Sequence, residues 1–264
     1  MSVLDEILAA KRDEVTMLHR PAVRDALRRT ALDAAPPRDF ATALRPAAGT
    51  MGVIAEIKRR SPSKGDLAPD LDAAATAAAY AAGGASALSV LTDRPFFGGS
   101  VEDLVTARGA CELPVLRKDF IIADIQVYET LAIGADAILL ICAAIPEDSH
   151  LKDLHELAVG LGLAVLTEVH DADELERARG IGAGIVGINA RSLETFEENL
   201  DAAAALAAAV PAGAISVAES AIRSDADADT VAAAGFDAML VGEYLVKSSD
   251  PAATVATLAQ RRRA

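Results

Sequence analysis

Tryptophan is absent from the chain, cysteine occurs only twice (Cys111 and Cys142), and aromatic residues make up 3% of its 264 positions. Two cysteines cannot build a disulfide framework, so packing must stabilise the fold, and a reduced, cytoplasmic setting is expected. No apolar run reaches the ~18 residues that a membrane span needs. The opening stretch, MSVLDEILAAKRDEV, carries acids within its apolar pattern and lacks a signal-peptide core. Positive charge is also scarce: 25 Lys and Arg face 39 Asp and Glu, a net charge of −14. Such a field repels polyanions, which argues against nucleic acid or a membrane as partner, yet it tolerates a small anionic substrate where cations are concentrated. Metal-ligand spacing is missing as well. His150 and His155 are five apart, off the i, i+4 register, and with His19 and His170 they read as lone surface histidines. No metal and no cofactor is expected, and no Ser-His-Asp or Cys-His arrangement suggests a nucleophile.

What is present is apolar and periodic. Hydrophobic residues make up 52% of the chain, ample for a sizeable core. Residues 1–50 read as a helical extension and linker. Leu4, Ile7, Leu8, Val15 and Leu18 form a stripe at helical spacing, Pro21 opens a second short helix, and the Pro- and Gly-containing stretch from Ala34 to Thr50 reads as the linker. From 51 to 264, short apolar runs alternate with amphipathic Ala-rich stretches. The runs are Val53–Lys58, Ala87–Leu91, Pro114–Lys118, Ala137–Ile141, Ala164–Glu168, Ile185–Asn189, Ile215–Glu219 and Ala238–Gly242. Each interval has room for one crossover helix, and near-continuous apolar strands imply burial on both faces. Eight such units predict an α/β fold, a (β/α)8 TIM barrel with an N-terminal helical extension, a single domain overall.

Barrel active sites lie at the C-terminal ends of the strands. There the sequence places Glu56 and Lys58, Lys118, Glu168, Asn189 with Arg191, and Glu219 with Ser220. Buried strands should be apolar, because an unpaired buried charge is costly. A whole set of ionisable groups at one rim therefore points to function rather than to strand ends meeting solvent. Two ammonium groups (Lys58, Lys118) and two carboxylates (Glu56, Glu168) without metal ligands suggest proton transfer. An anion site is the second theme. The turns after Ser220 and Gly242 lead into helices, where backbone N–H groups commonly hold a phosphate, and Arg59, Arg60 and Lys64 add positive charge after the first strand. The G-x-G-x-x-G at Gly182, Gly184 and Gly187 follows a helix and enters a strand, the reverse of a dinucleotide fingerprint, so it reads as a tight helix-to-strand turn.

The rim segments VIAEIKRRSPSKG (53–65), VLRKDFII (115–122), TEVHDADELERA (167–178), GINARSLETFEENL (187–200), VAESAI (217–222) and LVGEYLV (240–246) together resemble indole-3-glycerol-phosphate synthase, an enzyme family of tryptophan biosynthesis. The resemblance extends through LSVLTDRPFFGGSVEDL (88–104) and QVYETLAIGADAILLI (126–141) and includes the N-terminal extension. It implies a lyase that closes the ring of 1-(2-carboxyphenylamino)-1-deoxyribulose 5-phosphate, expelling CO2 and water. It further implies that Lys118 is the acid of ring closure, that Glu168 serves in dehydration, and that Lys58 is a second proton donor and a cation near the substrate. Glu56 would orient the lysines, Asn189 would hold a ribulose hydroxyl, and Arg191 and Ser220 would support the substrate. Ser61 and Glu219 belong to the implied binding set, with Phe97 and Phe120 as apolar walls around the aryl ring. Phosphate would rest on the backbone at Ala221, Gly242 and Glu243. Ala221 departs from the family's usual glycine, so a left-handed turn there would be strained. The partner would be a small phosphorylated molecule, with the chain a monomer or weak homo-oligomer.

Two other classes compete. A phosphate-binding barrel isomerase would carry an acidic pair or a Cys/Asp pair at its rim, which the Lys/Lys/Glu/Glu set disfavours. A catalytically silent metabolite-binding barrel would not require a matched acid and base.

Overall fold

The apolar runs become strands because each is short, buried on both faces and bounded by turn residues. In the computed structural model, which describes residues 2–45, 49–192 and 197–263, they are β1 (Gly52–Ile57), β2 (Ala87–Leu91), β3 (Val115–Lys118), β4 (Ala137–Ile141), β5 (Ala164–Val169), β6 (Ile185–Asn189), β7 (Ile215–Glu219) and β8 (Ala238–Val241). All pair in parallel with their sequence neighbours, and β8 closes onto β1, giving the predicted (β/α)8 barrel. The predicted strands match within about two residues; Lys58 lies just beyond β1 rather than within it.

Side-chain capping starts most of the crossover helices. Asp72, Ser100, Asp171, Asn199, Ser224 and Asp250 each accept a hydrogen bond from the backbone of the first turn that follows. Gly182 has φ +75 between the helix Ala172–Gly180 and β6, as the tight-turn reading of the G-x-G-x-x-G stretch requires.

Parallel register brings the polar strand ends to one level. Ile141 of β4 lies beside Glu168 of β5, Glu168 beside Gly187 of β6, Asn189 of β6 beside Glu219 of β7, and Leu91 of β2 beside Lys118 of β3.

The N-terminal residues form α1 (Val3–Leu18), begun by a Ser2/Asp5 capping box, and α2 (Pro21–Leu32) with Pro21 in its first turn. Arg28 of α2 lies over the ring of Tyr128, 5.0 Å from its centroid, and pairs with Asp124. The stretch predicted as a linker from Ala34 to Thr50 contains a short helix, Phe40–Ala43, capped by Asp39. Phe40 and Leu44 are fully buried, while Arg38 hydrogen-bonds the carbonyls of Cys111 and Leu113. The proline content suggested a linker; the two apolar side chains, which packing rewards, make it part of the barrel floor.

α1 reaches the opposite end of the barrel through Lys11, which is 1% exposed. Its Nζ lies 2.9 Å from Asp119 Oδ1, 3.1 Å from Asp93 Oδ2 and 2.7 Å from Glu14. Burial alone would favour the neutral amine, but Asp119 and Asp93 overrule it and the ammonium stays charged. Asp93 follows β2 and caps the turn that carries Phe97; Asp119 follows β3 and accepts from the Phe120 N–H. Lys11→Met leaves Asp93 without a cation and Asp119 with Arg117 alone, at 3.1 Å, and is expected to cost about 3 kcal/mol. Because both aromatic turns lose their anchor, KM should rise more than kcat falls. Thermal denaturation with steady-state kinetics checks this, and an unchanged midpoint would contradict it.

Candidate active site

The strand ends surround one cleft of about 970 Å³, measured out to its open mouth. Of the fourteen residues predicted from sequence, thirteen line it: Glu56, Lys58, Phe97, Lys118, Phe120, Glu168, Asn189, Arg191, Glu219, Ser220, Ala221, Gly242 and Glu243. Ser61 is the exception. It is 3% exposed, its hydroxyl has no hydrogen-bond partner, and the cleft is lined instead by Pro62 and Ser63. The loop ribbon Arg60–Ser61 against Gly65–Asp66 turns Ser61 inward, a consequence of local pairing that residue type cannot reveal. The Arg59, Arg60 and Lys64 cluster does not line the cleft either: Arg59 is held by Asp103 at 2.7 Å and by the Pro69 carbonyl.

Lys118 is the centre of the charge pattern. Its Nζ lies 2.7 Å from Glu168 Oε2 and 2.8 Å from Glu219 Oε2. A second pair, Lys58 Nζ to Glu56 Oε1 at 2.6 Å, stands beside it. The rim therefore holds three carboxylates to two ammonium groups; Glu219, predicted as a binding residue, belongs to the charged centre. Burial disfavours the Lys118 ammonium, but Glu168, Glu219 and Glu56 reverse that effect and keep it protonated. Burial also disfavours an ionised Glu168, yet Lys118 and His170 outweigh it and hold the carboxyl well below the usual carboxylate range. For Glu219, burial prevails with help from the nearby Glu168, and the carboxyl is pushed up to about 7 although Lys118 opposes this. One ammonium thus faces one firmly ionised acid and one acid poised near neutrality, an arrangement suited to proton transfer.

Two glycines make room for these carboxylates. A Cβ on Gly187 would lie 2.0 Å from Glu219 Oε1, and one on Gly242 would lie 2.4 Å from Glu56 Oε1. Gly187 is the last glycine of the G-x-G-x-x-G stretch, so its place in the sequence reflects the neighbouring acid rather than a nucleotide.

A polar shell orients the centre. Asn189 donates to Glu168 Oε1 at 3.0 Å and accepts from the Arg191 backbone N–H. Arg191 bonds Glu198 and Ser63, which ties the loops after β6 and β1 together. Phe97 and Phe120 form a tilted pair with centroids 6.1 Å apart on the apolar side. After β7, Ser220 and Ala221 have φ +64 and +59, so the expected strain at Ala221 is present. Left-handed backbone costs a non-glycine residue about 1–2 kcal/mol, and a glycine loosens the unfolded chain by about 0.4–1 kcal/mol. Ala221→Gly is therefore expected to stabilise the protein by roughly 0.5–1 kcal/mol. Chemical denaturation measures this, and a loss of stability would contradict it.

The histidines correct their reading as lone surface residues. His19 is half-exposed, but His155 is 8% exposed, His150 Nε2 lies 2.9 Å from the Ile122 carbonyl, and His170 pairs with Glu174. Among the described residues no group of histidine, cysteine and carboxylate side chains is arranged to hold a metal ion. Sequence reasoning also missed Ser63, Arg223 and Ile222 in the lining and Lys11 behind the aromatic wall. Only the S-P-S spacing offered a signal for Ser63.

Residues 4–258 match the family model described as Indole-3-glycerol phosphate synthase. A relative of that name from Nocardioides sp. is 49% identical over 255 residues, covering 97% of both chains. Another, from Variovorax paradoxus, is 46% identical over 262 residues, covering 97% of this chain and 98% of the relative. Among solved structures, a 3-hexulose-6-phosphate synthase superposes with a TM-score of 0.64 at 18% identity, covering 80% of this chain and 100% of that one. That likeness concerns the barrel alone.

Proposed function

The chain belongs to the indole-3-glycerol phosphate synthase family, and from that premise we propose how its rim residues divide the chemistry of a decarboxylating ring closure. The reaction takes 1-(2-carboxyphenylamino)-1-deoxyribulose 5-phosphate to indole-3-glycerol phosphate, and the chain is a carboxy-lyase acting on a small phosphorylated substrate. Lys118 donates its proton to the ketone oxygen as the aromatic carbon bonds to the ketone carbon. The aryl carboxylate leaves as CO2, and its bonding electrons restore the aromatic ring. Lys58 protonates the departing hydroxyl, which leaves as water. Glu168 takes the proton from the adjacent carbon to complete the indole. One CO2 and one water balance the conversion.

The single observation that carries this reading is Lys118 held between Glu168 and Glu219 inside the cleft. Glu219, poised near neutrality, is suited to return a proton to Lys118 after the first transfer. Glu56 holds Lys58, while Asn189, Arg191 and Ser220 steady the sugar. Phe97 and Phe120 wall the aryl ring. The backbone at Ala221, Gly242 and Glu243 receives the phosphate, and Ser63 takes the supporting place first given to Ser61. The same reading has the chain working in the cytoplasm, as a monomer or weak homo-oligomer, without nucleic acid or membrane. No helix among the described residues is long and apolar enough to cross a membrane.

Fluorescence tests the activity directly. The chain has no tryptophan, so product indole should emit over a low protein background when substrate is added. No emission from folded protein with authentic substrate would overturn the reading.

A further inference from the structure

We propose that His170 is a positioning residue for Glu168: Glu174 grips one side of its imidazole, and the other side buttresses the Glu168 carboxylate with positive charge. The proposal rests on the reading of Glu168 as the base of dehydration.

Glu168 is the penultimate residue of β5 and His170 the first beyond it, and the two side chains meet, Nε2 to Oε1, at 3.5 Å. Glu174 Oε2 accepts from the His170 backbone N–H at 2.8 Å and contacts His170 Nδ1 at 3.0 Å. With the Nδ1–H committed to Glu174, the ring is fixed in orientation. Nε2 then lies 3.5 Å from Glu168 Oε1, buried and with no hydrogen-bond partner. A neutral ring in this pose would aim a lone pair at a carboxylate. An imidazolium aims an N–H at it, and a shift of about half an ångström brings the two into ordinary hydrogen-bond range. A buried donor without a partner costs free energy, which favours the small approach that completes the contact.

The charges around the ring agree. Burial opposes the imidazolium, but Glu174 of the following helix, Glu168 of β5 and Glu219 of β7 favour it and together outweigh burial. The cation facing this group is Lys118, already shared between Glu168 and Glu219. The nearby Cys142 thiol is pushed up to about 12, mainly by burial, and stays neutral. His170 thus supplies the positive charge that two carboxylates sharing one ammonium lack. It does not line the cleft, so it acts through Glu168 rather than on the substrate.

Two measurements decide the matter. In 15N-labelled native protein, the His170 imidazole, assigned by its loss in His170→Asn, should titrate above the ordinary histidine value of about 6.5. Titration at or below that value overturns the proposal. In the second, kcat is followed against pH. The Glu168–Glu219 pair takes up a proton near 7, and removing a neighbouring cation makes that uptake easier. The acidic limb should therefore move to higher pH by about one unit in His170→Asn, a tenfold loss on the acid side. KM should change less, and kcat should recover toward alkaline pH. Glu174→Gln, which keeps the imidazole, should move the limb the same way and serves if His170→Asn does not fold. A limb that stays in place, or a uniform loss at every pH, overturns the proposal. Near-normal kcat in Glu168→Gln would instead overturn the role given to Glu168, while the imidazole titration still decides the state of His170.

Discussion

Lys118→Ala is expected to abolish measurable turnover, lowering kcat by about 10³-fold or more while KM changes little. The size follows from the position of the ammonium. Lys118 Nζ sits 2.7–2.8 Å from two buried carboxylates at the cleft's centre, and neither Glu168 nor Glu219 can replace it as a cationic acid. Removing a buried charge partner commonly unfolds a site. Here the penalty has an outlet, because Glu219 already titrates near 7 and takes up a proton once Lys118 is gone. The fold and the substrate contacts proposed for Arg191, Phe97 and Phe120 should therefore survive. Equilibrium titration with substrate, alongside the indole fluorescence assay, separates binding from chemistry. A variant with near-normal kcat would remove Lys118 as the acid of ring closure.

The second large effect belongs to Glu168→Gln, where a late step should slow by about 10²–10³-fold. The substitution keeps the size of the side chain and one contact but breaks another. Its amide oxygen can still accept from Lys118, whereas its NH2 meets the Asn189 NH2, which donates to Glu168 Oε1 at 3.0 Å in the native site. Asn189 cannot turn over freely, because its Oδ1 accepts from the Arg191 backbone. The expected signature in single-turnover experiments is CO2 release that precedes indole emission, with a ring-closed intermediate accumulating between them. If CO2 release and indole emission slow together, Glu168 acts earlier than dehydration.

These two side chains also mark where the sequence was informative. An ionisable residue at the end of an otherwise apolar strand is a local signal, because nothing but function or pairing repays its desolvation. Glu56, Lys118, Glu168 and Glu219 were legible for that reason, and the amide of Asn189 through the related cost of burying an unpaired polar group. The aromatic wall was legible only through the likeness of its motif, since Phe97 and Phe120 alone would pass for core. Lys11 was not legible at all. It lies in an amphipathic helix where a lysine normally faces solvent, and its burial depends on Asp93 and Asp119 from distant turns. His170 failed for a similar reason, with its partners set by the turn into the next helix.

Local pattern by itself determined the eight strands, their order and the end of the barrel that carries the cleft of ionisable strand ends, because periodic burial and turn residues act over a few positions. Tertiary structure alone decided the sharing of Lys118 between Glu168 and Glu219, the inward turn of Ser61, the seating of the stretch around Phe40 against the barrel and the charge on His170. Each of these follows from closure of the barrel and packing of the extension upon it. They bring together residues far apart in the chain, and the low dielectric between them makes each charge depend on its neighbours.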